Sequence, residues 1–162
     1  MTENVVEEDL IEESQKNKYL TFNLSKETYG IEIRYVTEIV GLPPITPMPE
    51  LPDFISGVIN LRGIIFPVMD ARLRFKKEII NYNDRTCIVV IDINGMSVGL
   101  IVDMVSEVLD IAEHNIVAPP LRENMGRKFI KNIGKLDNSV VLILDCNQLL
   151  NNDELNNINV SM

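Results

Sequence analysis

Four aspartates follow apolar runs of the sequence, and carboxylates brought together in pairs can carry out acid–base chemistry. They are Asp70, Asp92, Asp103 and Asp145. Acid–base catalysis needs two such groups whose surroundings push their pKa values apart. An aspartate at the end of a strand is, however, also a frequent capping residue, because its carboxylate accepts hydrogen bonds from the backbone of the next turn. We interpret the four as capping residues and keep an acid–base pair as the alternative.

Other side chains that commonly catalyse reactions are scarce. His114 is the only histidine and lies in a polar stretch, and Cys87 and Cys146 lie inside apolar runs, as buried thiols rather than disulfide partners do. No histidine and cysteine cluster has zinc spacing, no glycine-rich phosphate loop is present, and Ser56 lacks the glycine that precedes a nucleophile elbow. The sequence therefore predicts no catalytic residue, no metal site and no cofactor, and it favours a binding protein.

One pair of oppositely charged residues is suited to form a salt bridge of specific geometry. Glu38 and Arg62 each lie beside an apolar run, and an arginine fork suits a carboxylate. If the two runs are neighbouring strands, the side chains can meet at the surface of the fold. An ordinary surface ion pair, which contributes about 0–1 kcal/mol, is the other interpretation.

The chain contains an internal repeat. Residues 29–40 resemble residues 98–109 at an offset of 69, which aligns Gly30 with Gly99, Val36 with Val105 and Glu38 with Glu107. Farther along, 67–70 resembles 142–145 in the same order. In the second copy the turn Asp137-Asn138 replaces Arg62-Gly63, so Glu107 has no evident arginine partner. The repeat predicts two similar β-rich units, with Val36 and Val105 either in the core or on either side of a groove between the units. Ile39 and Val108 share this ambiguity.

The elements that must position these residues are short strands. Alternating or continuous apolar patterns predict strands at 19–24, 28–33, 57–61, 64–69, 86–93, 96–102, 105–111, 129–136 and 140–144. For 36–40 the Val-x-x-Ile spacing permits either a strand or a short helical turn. Hairpin turns are predicted at Arg62-Gly63, Asn94-Gly95 and Asp137-Asn138, and short helical pieces at 71–75 and 146–150. Five prolines between 41 and 52 predict an ordered loop or an edge segment. Many short strands with close turns are typical of small barrels, so we expect an all-β fold.

Composition limits the domain organisation and the partners. The 162 residues carry a net charge of −9, and the first 15 hold six acidic residues and no basic one. We predict a disordered acidic tail over 1–17, a folded body over 18–150 and a flexible C-terminus over 151–162. Within the body, we predict a first barrel at about 24–83 and a second at about 84–142, with exchange of the terminal strands between the barrels as an alternative. The remaining charge is nearly balanced, which disfavours nucleic acid. No apolar run approaches the length of a membrane span, so we expect a cytoplasmic protein without direct membrane insertion.

Several motifs, taken together, resemble the CheW family of bacterial chemotaxis coupling proteins. The resemblance spans about residues 18–150, and the block Asn60-Leu61-Arg62-Gly63 is its most specific part. The other matching segments are 29–39, 45–49, 57–63, 67–72 and 99–108.

This resemblance implies a fold and a function. It implies two tandem SH3-like five-stranded β-barrels packed together, with short helical pieces. It also implies a non-catalytic adaptor that couples transmembrane chemoreceptors to the histidine kinase CheA, with the receptor's cytoplasmic tip and the CheA regulatory domain as partners. Carried over from the family, the residues that line or support the receptor groove are Val36, Glu38, Ile39, Arg62 and Val105, and the structural turn residues are Asn60 and Gly63.

Two other functions remain open at this point. One is a coupling module of a histidine-kinase pathway other than chemotaxis. The other is a small-ligand binder or enzyme that uses the groove between the barrels, with Asp70 or Asp103 as its acid. Converging carboxylates with raised pKa values would favour the enzyme.

Overall fold

A computed structural model describes residues 14–120 and 129–150 of the chain. Of the predicted acidic tail, residues 1–13 lie outside the described residues, and so does the whole predicted C-terminal segment 151–162. In the described ranges, no helix is both long enough and apolar enough to cross a bilayer.

The described residues form an all-β fold with short helical pieces, as predicted from the sequence. The strands are β1 (Lys18–Leu24), β2 (Glu27–Glu32), β3 (Val36–Gly41), β4 (Ile55–Leu61), β5 (Ile64–Asp70), β6 (Cys87–Ile93), β7 (Met96–Val102), β8 (Met104–Asp110), β9 (Ile116–Val117), β10 (Ile130–Lys135) and β11 (Val140–Leu144). A single α-helical turn, α1 (Ala71–Arg74), follows β5, and 3-10 turns lie at Ile33–Tyr35, Glu113–Asn115 and Cys146–Gln148.

The strands form two sheets, one built from the middle of the described chain and one from strands on either side of it. Sheet 1 has the order β8-β1-β2-β11-β10-β9, and sheet 2 has the order β3-β6-β7-β5-β4. The chain crosses between the sheets twice, from β2 to β3 and from β7 to β8. The sheets therefore divide the chain differently from the predicted barrels at 24–83 and 84–142. Sheet 2 takes the continuous stretch β3–β7, whereas the first two strands pair with the last four to form sheet 1.

The side chains of β6 show where the cores lie. Because successive residues of a strand point to opposite faces, Val89, Ile91 and Ile93 enter one cluster, while Ile88 and Val90 enter another. The first cluster also receives Leu20, Phe22 and Leu24 from β1 of sheet 1, so it is a central core shared by both sheets. Ile88 and Val90 pack in a smaller cluster belonging to sheet 2. Residues of sheet 1, among them Val141 and Ile143, form a third. The shared central core makes one folded body of the two sheets.

The internal repeat corresponds to equivalent positions in the two sheets. Gly99 of β7 lies opposite Val68 of the parallel strand β5, and Gly30 of β2 lies opposite Ile143 of the parallel strand β11. The order β8-β1-β2-β11-β10 in sheet 1 thus matches β3-β6-β7-β5-β4 in sheet 2. Each copy of the repeat begins in one sheet and ends in the other. The first copy therefore contains the crossing from β2 to β3, and the second copy contains the crossing from β7 to β8.

The proline-rich segment covers the outer edge of β4. Thr46 and Val58 exchange two backbone hydrogen bonds, each of 2.9 Å, in an isolated bridge. Gly57 permits this approach, because a Cβ atom there would lie 2.1 Å from the carbonyl oxygen of Thr46. The bridge protects an otherwise open sheet edge, which is a common need in β proteins.

Candidate functional site

The predicted pair Glu38 and Arg62 is formed, and it joins the two edge strands of sheet 2. Glu38 lies on β3, and Arg62 lies in the turn that follows β4, at the other edge of the sheet. One guanidinium nitrogen of Arg62, Nη2, donates to both carboxylate oxygens of Glu38 at 2.6 Å. Sheet 2 must therefore curl until its edges meet, as a barrel does.

The pair is open to solvent rather than buried. The Arg62 side chain is 69% exposed and that of Glu38 is 30% exposed. Water screens such a pair, so its own contribution to folding is about 0–1 kcal/mol. Breaking a buried pair costs more, about 3–5 kcal/mol, but this pair is exposed.

The turn that presents Arg62 has an unusual residue choice. Arg62 has φ 53° and Gly63 has φ 86°, so both central residues of this two-residue hairpin are left-handed. The side-chain oxygen of Asn60 accepts a hydrogen bond of 2.8 Å from the Gly63 amide, so the two predicted turn residues are in direct contact. The hairpin at Asn94-Gly95 has the same backbone, with Asp92 accepting from Gly95 at 2.8 Å. Asparagine or glycine suits the first central position better than arginine does, so turn geometry does not explain why Arg62 is there.

Val36 and Val105 occupy equivalent places next to bulges in the two edge strands. Val36 pairs with Ile91, and the β3–β6 register shifts directly after it. Val105 pairs with Phe22, and the β1–β8 register likewise shifts beside it. Both valines are half-buried and pack against the shared central core. Bulges bend a strand and redirect the side chains that follow them, so each register shift changes the direction of the side chains beyond its valine.

Beyond the bulges, both edge strands present apolar side chains to solvent. Ile39 on β3 is 45% exposed, and Val108, its equivalent on β8, is 51% exposed. Of the five predicted groove residues, Val36, Glu38 and Ile39 lie together on β3, and Arg62 joins them through Glu38. Val105 lies on β8 in the other sheet, linked to these residues by the common core.

Among the described residues, the second copy of the repeat shows no counterpart of the ion pair. Glu107 is exposed on β8, and the exposed Asp137 lies in the β10–β11 turn, where the hairpin alignment places the equivalent of Arg62. Carboxylates at both positions cannot form a salt bridge. The two sheets therefore differ in charge at these equivalent positions, although their backbones correspond.

Three of the four strand-end aspartates cap the turns that follow them, and the fourth forms an ion pair. Asp70 accepts from the Arg72 and Leu73 amides at the start of α1, and Asp145 accepts from the Asn147 amide at the equivalent place in sheet 1. Asp92 holds its hairpin turn as described above. The capping interpretation is thus correct for these three.

Asp103 instead forms a partly buried ion pair that the sequence analysis did not single out. The Arg72 guanidinium, within a residue that is only 6% exposed, donates from Nε to one Asp103 oxygen at 2.8 Å and from Nη2 to the other at 2.5 Å. The Ser25 amide also donates to Asp103 at 2.8 Å. The only sequence signal was that Arg72 and Asp103 both lie in segments that resemble the family.

The surroundings of Asp103 oppose a role as an acid. Burial acts to raise the pKa of this carboxyl, but the hydrogen bonds from Arg72 and from the Ser25 amide outweigh burial, and the pKa lies below its usual value. A general acid needs a raised pKa.

Histidine and cysteine contribute no reactive arrangement to the described residues. His114 is exposed in its 3-10 turn. Cys146 is buried, which raises the pKa of its thiol to about 12, while Cys87 is only half-buried; both are free thiols. Among the described residues, no group of three or more histidine, cysteine or acidic side chains is placed to hold a metal ion.

Comparison with known proteins gives consistent matches over most of the chain. A family model described as a CheW-like domain matches residues 18–154. The chain is 34% identical over 144 residues to the chemotaxis protein CheW of Klebsiella aerogenes, covering 88% of this chain and 87% of that protein. It is 31% identical over 137 residues to the chemotaxis protein CheW of Bacillus subtilis, covering 84% and 88%.

A solved structure extends the match to three dimensions. The crystal structure of the scaffolding protein TtCheW from Thermoanaerobacter tengcongensis is similar with a TM-score of 0.79 and 37% sequence identity, covering 85% of this chain and 94% of that one. The two curled sheets described above fit two SH3-like β-barrels packed together.

Proposed function

Because the chain belongs to the CheW family of chemotaxis coupling proteins, we propose that it is a non-catalytic adaptor that couples transmembrane chemoreceptors to the histidine kinase CheA in the cytoplasm. The single observation that best supports this proposal is the similarity, in sequence and in fold, to a solved scaffolding protein over nearly its full length. The adaptor unit is the described body within residues 18–150.

The receptor site of the proposal consists of Val36, Glu38, Ile39, Arg62 and Val105. Its support is that the edge strand β3 carries both the exposed Ile39 and Glu38, the partner of the exposed Arg62. Exposed apolar area next to a charged pair provides both contact surface and selectivity for a partner. The left-handed backbone of Arg62 adds support, because an unfavourable residue kept in a turn points to a use for its side chain.

The kinase partner of the proposal is the CheA regulatory domain. It is inferred from family membership, since the relatives carry the name chemotaxis protein and the solved neighbour is called a scaffolding protein. The folded body presents exposed apolar side chains on the edge strands β3 and β8, which supplies contact surface for partners.

An enzymatic use of the space between the barrels is disfavoured by Asp103. That function needs an acid with a raised pKa, and the Asp103 carboxyl has a lowered pKa because Arg72 holds its charged form. The remaining candidate, Asp70, accepts hydrogen bonds from the α1 amides with one oxygen and from the Tyr82 hydroxyl, at 2.5 Å, with the other.

Reconstitution tests the proposal directly. The purified chain is mixed with a chemoreceptor cytoplasmic fragment and CheA, and ternary complex formation and autophosphorylation of CheA are measured. The expected result is a complex of all three proteins and kinase activity that depends on both the receptor and this chain. If CheA activity in the presence of receptor is the same with and without the chain, the proposed function is wrong.

A further inference from the structure

The short helical turn α1 connects the two sheets through buried arginines. Arg72 and Arg74 are 6% and 9% exposed, although arginine is rarely buried without partners. Arg74 donates to the Leu149 carbonyl at 2.8 Å, and its guanidinium lies over the rings of Phe54 and Phe129 at 4.0 and 4.7 Å. These contacts come from distant parts of the chain, so α1 links segments that the sheet ladders do not connect.

Arg72 contacts three separate segments with its guanidinium. Beyond the two bonds to Asp103, Nη2 donates to the Ser25 hydroxyl at 2.7 Å and Nη1 donates to the Glu78 carbonyl at 2.9 Å. Ser25 lies in the β1–β2 turn of sheet 1, whereas Arg72 itself follows β5 of sheet 2. A single planar group therefore ties both sheets together with fixed geometry.

Asp103 is the residue at which the chain crosses from sheet 2 to sheet 1. It lies between the end of β7 and the start of β8, two residues before Val105. Arg72 therefore binds the side chain of the residue that directly precedes β8. The direction of β8 decides where Val105 stands relative to the other sheet.

The other crossing is held in a different way. By the repeat offset, Arg34 is the equivalent of Asp103, and it bonds Glu32 at 2.9 Å, as Lys131 does at 2.8 Å. The side chains of Arg34 and Lys131 are 61% and 40% exposed, so solvent weakens these pairs. The buried fork of Arg72 on Asp103 is therefore the firmer of the two constraints.

We propose that Arg72 is a positioning residue for the receptor site: by holding Asp103, it fixes the direction of β8 and so the placement of Val105 relative to Val36. This inference rests on the proposed function, because it assumes that both valines contribute to one docking surface. Arg72 itself lies too deep to touch the partner.

The test measures the spacing of the two edge strands directly. Nitroxide labels are attached at Thr37→Cys and Ser106→Cys, which are exposed equivalent positions beside the two valines, in a Cys87→Ser background; the buried Cys146 resists labelling because its thiol pKa is raised to about 12. Pulsed electron paramagnetic resonance then gives the distribution of label distances. Arg72→Lys keeps the charge but loses the planar fork, so we expect a shifted or broader distribution.

Receptor binding is measured on the unlabelled variant. We expect the affinity of Arg72→Lys for a receptor cytoplasmic fragment to fall about tenfold, or about 1.4 kcal/mol. Asp103→Asn, which keeps the shape of the side chain, is measured alongside and should change both readouts in the same direction. Arg34→Lys is the matched control at the other crossing and should change neither.

Unchanged distances and affinity in both the Arg72 and the Asp103 variants would overturn the inference. Failure of both variants to fold would also overturn it, since the pair would then serve folding rather than the placement of β8. The label distances are measured without receptor, so they test the positioning role even if the unaltered chain does not bind the receptor fragment. Failure of the unaltered chain to bind would count against the proposed function instead.

Discussion

Arg62 donates from a single nitrogen to both carboxylate oxygens of Glu38 and thereby joins the opposite edges of sheet 2. The pair is solvent-exposed, and its arginine has a left-handed backbone that favours asparagine or glycine. The small contribution of the pair to the stability of the fold does not explain why an arginine occupies this position. A contact with a partner accounts for it better.

Arg62→Asn and Arg62→Ala separate the turn from the ion pair. Both remove the guanidinium, but only asparagine suits the left-handed position. We expect both variants to stay folded, with Arg62→Asn within about 1 kcal/mol of the unaltered chain in urea unfolding. Receptor-dependent CheA activation should fall in both. The exposed Arg85→Asn serves as a charge-matched control, and equal activation by all three variants would remove Arg62 from the proposed site.

Ile39→Ser tests the apolar part of the same surface. Ile39 is 45% exposed, so the unfolding free energy should change by no more than about 0.5 kcal/mol. Affinity for the receptor fragment, measured by calorimetry, should fall about tenfold because apolar contact area is lost. Ile79→Ser alters an isoleucine that is 67% exposed elsewhere and should leave affinity unchanged. Equal losses in the two variants would show that exposed apolar area in general, not this site, matters.

Gly57→Ala should destabilise the fold. The added Cβ would collide with the Thr46 carbonyl oxygen, and φ at this position is 147°, which strains any side chain. Losing the two hydrogen bonds of the Thr46–Val58 bridge, together with the strain, should cost about 2–4 kcal/mol. Urea unfolding measures this cost. Gly41→Ala is the control because its Cβ would meet nothing within 4 Å, and a similar loss there would contradict the explanation.

The ion pair of Arg72 with Asp103 should make stability depend on pH in the acid range. The folded Asp103 carboxyl has a pKa below the value of about 3.9 for an unfolded aspartate. As the pH falls, the unfolded chain therefore takes up this proton first. The stabilisation is complete above about pH 5 and disappears as the pH falls through the folded pKa.

Asp103→Asn removes this contribution. The difference in unfolding free energy between the unaltered chain and the variant should be largest near neutral pH and shrink toward about pH 2. Glu27 and Glu32, whose pKa values are also lowered, are present in both proteins and cancel in the difference. Asp110→Asn controls for the loss of one negative charge. A difference that stays constant over this range would show that Arg72 does not hold the charged form of Asp103.

Local structure could be predicted closely from the sequence. The strands at Met96–Val102 and Val140–Leu144 have the predicted bounds, because Asn94-Gly95 fixes one hairpin and a continuous apolar run defines the other strand. The sequence also indicated that Glu38 and Arg62 can form a contact, since both residues lie beside apolar runs. The repeat offset correctly identified Gly30 and Gly99 as equivalent positions.

Long-range pairing was harder to predict. Nothing in the apolar pattern of 19–24 tells whether that strand pairs with a distant one, yet β1 lies between β2 and β8. The tie between Arg72 and Asp103 was missed for the same reason, because their contact depends on how α1 folds against the second crossing. The exposure of Arg62 likewise depends on the curl of sheet 2, which a single sequence does not reveal.

The interleaved order of strands has a consequence for synthesis on the ribosome. Sheet 2 is complete once residue 102 has emerged, since β3–β7 are consecutive. The hairpin of β1 and β2 emerges before all of them, but its neighbours β8 and β11 are made only after sheet 2 is complete. An isolated two-stranded hairpin is marginal in water. The nascent chain should therefore acquire protease resistance in two stages, first in its middle and only later at its beginning.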